Sequence, residues 1–158
     1  MFAAWYGDSI EMIHGEKPSF YDWRHGTETL NDAMTWPIDG ILFDIEENDI
    51  WLNSWGVHPD TSEERRIRLL GLVHRAPALI PLTGHRYLLG TPFASGNPVL
   101  SVYQSDIICY GSDLRHFLIL ELCKLLKINH NEAFQRATEG ITQTALENIP
   151  FWEELMSH

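Results

Sequence analysis

The chain is poor in cysteine and in basic residues, and it holds no long apolar run. Its two cysteines, Cys109 and Cys123, stand inside apolar stretches. The expectation is a pair of buried thiols in a reducing compartment, with a disulfide as the alternative. The longest strongly apolar run, residues 117–120, stops at Glu121, far short of the roughly 20 residues a membrane-spanning helix needs. The first residues carry no basic, cleavable leader, which points to a cytoplasmic protein. Lys and Arg number 11 against 22 Asp and Glu, a net charge of −11. That excludes the basic footprint on which nucleic-acid binding depends. Cys-x-x-Cys, His-Glu-x-x-His, a Gly-rich phosphate loop and a Gly-x-Ser-x-Gly elbow are all missing. No metal and no cofactor is therefore expected.

What is present is a chain of one-domain size, 158 residues with 44% hydrophobic and 11% aromatic content. It is long enough to bury one substantial core. The negative charge is uneven. Residues 1–60 hold 12 Asp and Glu against Lys17 and Arg24, whereas residues 61–158 hold 10 against 9 Lys and Arg. An acidic half of this kind steers in a basic partner, and it also serves plain solubility.

Taken in order, residues 1–26 mix Gly and Pro with aromatics and read as an irregular segment docked on the core. Residues 27–35 read as a short helix capped by Thr27 and ended by Trp36-Pro37, because a residue before proline is pushed out of the helical region. Ile41, Phe43 and Ile45 alternate with Leu42, Asp44 and Glu46, the period of a half-buried strand. Thr61 and Glu64 spell a capping box. The helix it opens should run to about Arg75, with Ile67, Leu70 and Val73 or His74 inward, Leu69 and Leu72 widening that face, and Arg65, Arg66 and Arg68 outward. Pro81 marks residues 79–82 as an edge strand or a bulge. Residues 99–110 read as one long central strand, apolar on both faces. Ser112 or Asp113 caps a buried helix at 114–127. Asn131 opens a further helix, and residues 150–156 form a short turn whose aromatics pack back.

The polar groups on strands 79–111 are the candidates for chemistry. A site built from His85, Asp106 and Glu46 would be a hydrolase or a metal centre. The competing expectation makes His85, Arg86, Asn97 and Asp106 a buried polar network that fixes the sheet, with Arg86 paired to Asp106. Trp36, Trp51 and Trp55 crowd the acidic segment 39–49, either as core anchors or as anchors for a partner.

Together these residues carry a resemblance. Trp36, Pro37, Gly40 and Asp44 lead to Trp51, Trp55, Gly56 and Pro59. The run Gly84, His85, Arg86 and Tyr87 follows. Gly96, Asn97 and Pro98 then precede Ser101, Asp106, Tyr110, Gly111 and Asp113, and Pro150, Phe151 and Trp152 close the pattern. From about Trp23 onward this resembles a bacterial branch of the SUKH superfamily, whose eukaryotic members are the Knr/Smi cell-wall regulators. Residues 1–22 lack the Leu-Pro-bearing helix and Gly-Gly turn of typical members. Thr83 stands where the family carries a larger residue.

The resemblance implies an α+β fold: one domain with a central, mostly antiparallel sheet and helices packed around it. It also implies an immunity role, binding and neutralising a protein toxin, often a nuclease. No catalytic residue is carried over, so the reading is non-enzymatic. The interface is expected on Asp44, Glu46, Glu47, Asp49 and Trp55. A regulatory scaffold is the further alternative. No oligomeric state follows from the sequence.

Overall fold

A computed structural model describes residues 20–26, 28–91, 95–126 and 149–157. Residues 1–19 of the irregular N-terminal segment expected at 1–22, the Thr27 cap and the helix opened by Asn131 lie outside the described residues. Helix α1 (Glu28–Glu47) leads through a 3-10 turn (Asn53–Trp55) to helix α2 (Ser62–Val73). Strands β1 (Leu79–Thr83), β2 (Arg86–Leu89), β3 (Val99–Tyr103) and β4 (Asp106–Gly111) follow, then helices α3 (Leu114–Leu125) and α4 (Trp152–Met156). The strands form an antiparallel four-stranded sheet in sequence order. The fold is α+β.

Helix α1 replaces the short helix and the strand read from the sequence. It runs 20 residues straight through Pro37. A proline inside a helix removes the amide that would bond the carbonyl four residues back, here that of Ala33. The buried Tyr87 hydroxyl donates to that same carbonyl at 3.0 Å. The lost backbone bond is thus replaced from β2. The alternation at 41–46 misleads because Ile41 and Ile45, four apart, are the buried pair, while Phe43 between them is exposed.

Residues 99–110 are likewise not one strand. They turn back at Gln104 and Ser105, where Tyr103 pairs with Asp106. Gln104 takes the positive φ (57°) of a two-residue hairpin without being glycine or asparagine, so no turn residue announced the reversal. The β1–β2 hairpin has the ordinary signal: Gly84 supplies φ of 49°. Strand β1 is both an edge strand and bulged between Pro81 and Thr83. Its free edge is covered by residues 20–23. Phe20 bridges Thr83, the Tyr21 amide donates to the Leu82 carbonyl, and the Trp23 indole donates to the Pro81 carbonyl at 2.9 Å.

The core lies between α1, α2, α4 and one face of the sheet, around Ile41, Ile45, Trp55, Leu69, Tyr87, Leu100, Val102, Phe151 and Trp152. The capping box is formed as expected. The buried stripe of α2 differs from the expected one. Leu69 is buried and Leu72 and Val73 pack on the core, whereas Ile67 and Leu70 face solvent. Arg65 joins the inward side through an ion pair with Glu46 at 2.6 Å. Asp113 caps α3 by accepting from the His116 amide at 2.7 Å. The aromatics of 151–152 pack back as expected: Phe151 stacks on Trp55 at 5.6 Å, and the Trp152 indole donates to the Pro77 carbonyl. Both cysteines are free thiols.

Candidate functional site

Turning 28–47 into a helix redistributes the acidic segment. Helix α1 carries six carboxylates and no Lys or Arg. Its solvent face, at helical spacing, runs Asp32, Trp36, Asp39, Phe43 and Glu47. Trp36 and Phe43 are 51% and 52% exposed, two large aromatics one heptad apart on the same face. The helix lies close on the β3–β4 turn: a Cβ on Gly40 would meet the Gln104 Cα at 3.0 Å. That approach brings the Tyr103 ring, itself exposed, to 6.5 Å from Trp36.

The residues expected at an interface divide between roles. Glu47 and Asp49 are exposed. Glu46 is tied back to the fold, accepting from Arg65 Nε and Nη2 and from the Ser62 hydroxyl. The Arg65 bond, against desolvation and with help from Ser62, holds its carboxyl below the usual range. Two members are corrected. Trp55 is 1% exposed and belongs to the core, where Trp51 meets its edge at 5.4 Å. Asp44 is 4% exposed and faces the β3–β4 turn. It accepts from the Ser105 amide at 2.9 Å, from the Ser105 hydroxyl at 2.5 Å and from the Asn48 side chain at 2.7 Å. Burial pushes this carboxyl up, but those donors outweigh it and hold it below its ordinary value. Asp44 is thus a clamp on the hairpin that Gln104 strains.

The expected polar network of the sheet is only partly assembled. Arg86 bonds Ser101 at 2.7 Å, its cross-strand neighbour, and lies 4.0 Å over the Tyr110 ring. Tyr110 in turn donates to Glu121 at 2.8 Å, and Lys124 pairs with that carboxylate at 3.1 Å. Asp106 is not in this cluster: it is exposed at the start of β4. Asn97 bonds the Leu89 carbonyl separately. The pairing of Arg86 with Asp106 is therefore replaced by Arg86 with Ser101, because the turn at 104–105 folds the 99–110 segment and sends Asp106 to its rim.

His85 packs on Tyr103 at 6.0 Å, and no hydrogen bond or ion pair joins it to Glu46 or Asp106. Burial, then the charges of Arg86 and Lys124, holds its imidazole below the ordinary value. The three residues of the hydrolase or metal reading are thus not gathered. Among the described residues no group of His, Cys, Asp and Glu could hold a metal, and no helix is long and apolar enough to cross a membrane.

Beside the Trp36 end of the helix lies a cleft of about 440 Å³, lined by Tyr21, Asp32, Trp36, Gly84, His85 and Tyr103 among others. Sequence reasoning missed it. Tyr21 comes from the segment covering β1, Gly84 and His85 from the β1–β2 turn, Tyr103 from the end of β3, and Thr29, Asp32, Ala33 and Trp36 from α1. The one signal available was the spacing of Trp36, Asp39 and Phe43, visible once 28–47 is taken as a single helix. No family model, curated protein or solved structure matches the chain.

Proposed function

We propose that this chain is a SUKH-like, non-enzymatic protein-binding domain, an immunity protein that neutralises a basic toxin domain by docking it on the solvent face of α1. The observation that carries this reading is the pair of exposed aromatics, Trp36 and Phe43, set among carboxylates on a helix with no basic residue. Aromatic anchors supply the desolvated centre of an interface. The carboxylates around them steer a basic surface in and reject an acidic one. Glu47 and Asp49 keep the interface role expected of them, joined by Asp32 and Asp39. Glu46 contributes field while held by Arg65.

The test is to purify the chain with the product of the neighbouring reading frame and to follow complex formation by calorimetry. Binding is expected to fall at least tenfold in the triple variant Asp39→Asn, Glu47→Gln, Asp49→Asn. It should fall further in Trp36→Ala with Phe43→Ala, and melting temperatures should stay near that of the parent. Unchanged affinity in both variants would remove α1 as the docking face.

A further inference from the structure

We propose that the cleft between the start of α1 and the two hairpin turns seats a single arginine side chain of the basic protein partner. The inference rests on the partner reading above and names the group that partner inserts. Three observations converge.

The walls are aromatic. Tyr21, Trp36, His85 and Tyr103 all line the cleft, whose volume of about 440 Å³ falls within the range of side-chain and small-ligand sites. The rings are accessible. Trp36 and Tyr103 form a tilted pair 6.5 Å apart at 52°, and both are about half exposed. The charge has one sign. Asp32 is the carboxylate in the lining, and no Lys or Arg lines it.

A ring face is electron-rich and attracts a cation laid over it. Guanidinium fits such a place better than ammonium, because it is planar, stacks on rings and gives up hydration more readily, while its N–H fork reaches a carboxylate. His85 does not oppose it. Burial, then the charges of Arg86 and Lys124, holds its imidazole below its ordinary value, which disfavours the charged ring. Arg86 and Lys124 lie outside the lining, Arg86 bonded to Ser101 and Lys124 paired with Glu121, although their charge is felt at His85. Tyr21 is fixed as a wall by its hydroxyl, which donates to the Gly84 carbonyl at 3.0 Å. The site is also continuous with the acidic stripe of α1, so a basic surface drawn to Asp39 and Glu47 brings its side chains to the cleft mouth.

The experiment uses the full chain labelled with ¹⁵N, the Trp36 indole resonance being assigned through Trp36→Phe. It is titrated with a synthetic peptide of alternating glycine and arginine. Parallel titrations use the same peptide with citrulline in place of arginine, and Nα-acetyl-arginine amide. The arginine peptide is expected to move the Trp36 indole and to bind at least tenfold more tightly than the citrulline peptide, which keeps the shape and loses the charge. Asp32→Asn should weaken it about fivefold. Trp36→Ala should abolish it without lowering the melting temperature.

Equal binding of the citrulline peptide overturns the proposal, as does the absence of binding by either peptide. Binding of the acetylated amide as tight as that of the peptide assigns the cleft to a free small cation and overturns the protein source. Peptide binding that moves Phe43 and leaves the Trp36 indole still overturns the cleft while leaving α1 as a partner surface, so the two failures are distinguishable.

Discussion

At the scale of single residues, Asp44 does most to hold the fold in register. Its carboxylate satisfies two groups of Ser105 and one of Asn48, and it sits where a helix meets the turn that Gln104 strains with φ of 57°. Asp44→Ala removes a charged acceptor and orphans the Ser105 donors. It is expected to cost about 2–3 kcal/mol in urea unfolding. The native carboxyl titrates below its unfolded value, so its contribution is present above the unfolded pKa, about 3.9, and is lost as pH falls through the lower native one. Acid unfolding of the parent should thus show a loss of stability below about pH 4 that is smaller in Asp44→Asn. An identical acid slope in the two proteins would take Asp44 out of the account. Gly40 is the second such residue. A methyl there meets the Gln104 backbone, so overpacking of about 1–3 kcal/mol exceeds the roughly 1 kcal/mol of helix propensity that alanine gains. A lower melting temperature for Gly40→Ala is the expected result.

At the scale of elements, α1 persists through Pro37 because β2 repairs it. Tyr87→Phe leaves the Ala33 carbonyl unbonded in a buried place, an expected loss of about 1–3 kcal/mol. In Pro37→Ala the amide of residue 37 is free to take that carbonyl, so Tyr87→Phe should cost clearly less in that background. The double-mutant cycle reads the difference directly. A cycle that closes to zero would show that the hydroxyl does not stand in for the amide that Pro37 lacks. The same logic explains the two hairpins. Gly84 is a local turn signal for β1–β2, while the β3–β4 reversal depends on a carboxylate 61 residues away from Ser105 in sequence. No local pattern encodes such a contact. Helix α2 shows a milder case: several stripes were available, and the position of Glu46 and Trp55 chose the one bearing Arg65 and Leu69.

For the whole molecule, the concentration of acidic charge dominates the electrostatics. Nearly all the net charge of −11 comes from residues 1–60, and six carboxylates of that region sit on one helix without a base. Self-repulsion of this kind is screened by salt, with a Debye length of about 8 Å at physiological ionic strength. The melting temperature is therefore expected to rise by a few degrees between low and half-molar sodium chloride, while affinity for the proposed basic partner falls. A melting temperature that drops with salt would mean that pairs such as Glu46 with Arg65 outweigh the repulsion.

The fold class was implied by the resemblance, and the residues themselves determined the capping box of α2, an edge strand or bulge at Pro81, a cap at Ser112 or Asp113 and the inward packing of 151–152. Each of these follows from residues close together in the chain: a hydroxyl three positions from a glutamate, a proline without a donor, an aspartate ahead of an apolar run. It also determined the acidity of the first 60 residues, which is composition. Only the tertiary structure decided that 28–47 is one helix, that 99–110 is two strands, and that Asp44 and Trp55 are internal while Trp36 and Phe43 are not. Each of those outcomes depends on a partner far along the chain. Tyr87 stands in for the bond that Pro37 deletes, Asp44 holds a turn that has no turn residue, and Phe151 stacks on the tryptophan that was expected outside. The face offered to solvent is what remains after those distant contacts are made, and here it is the acidic, aromatic side of α1.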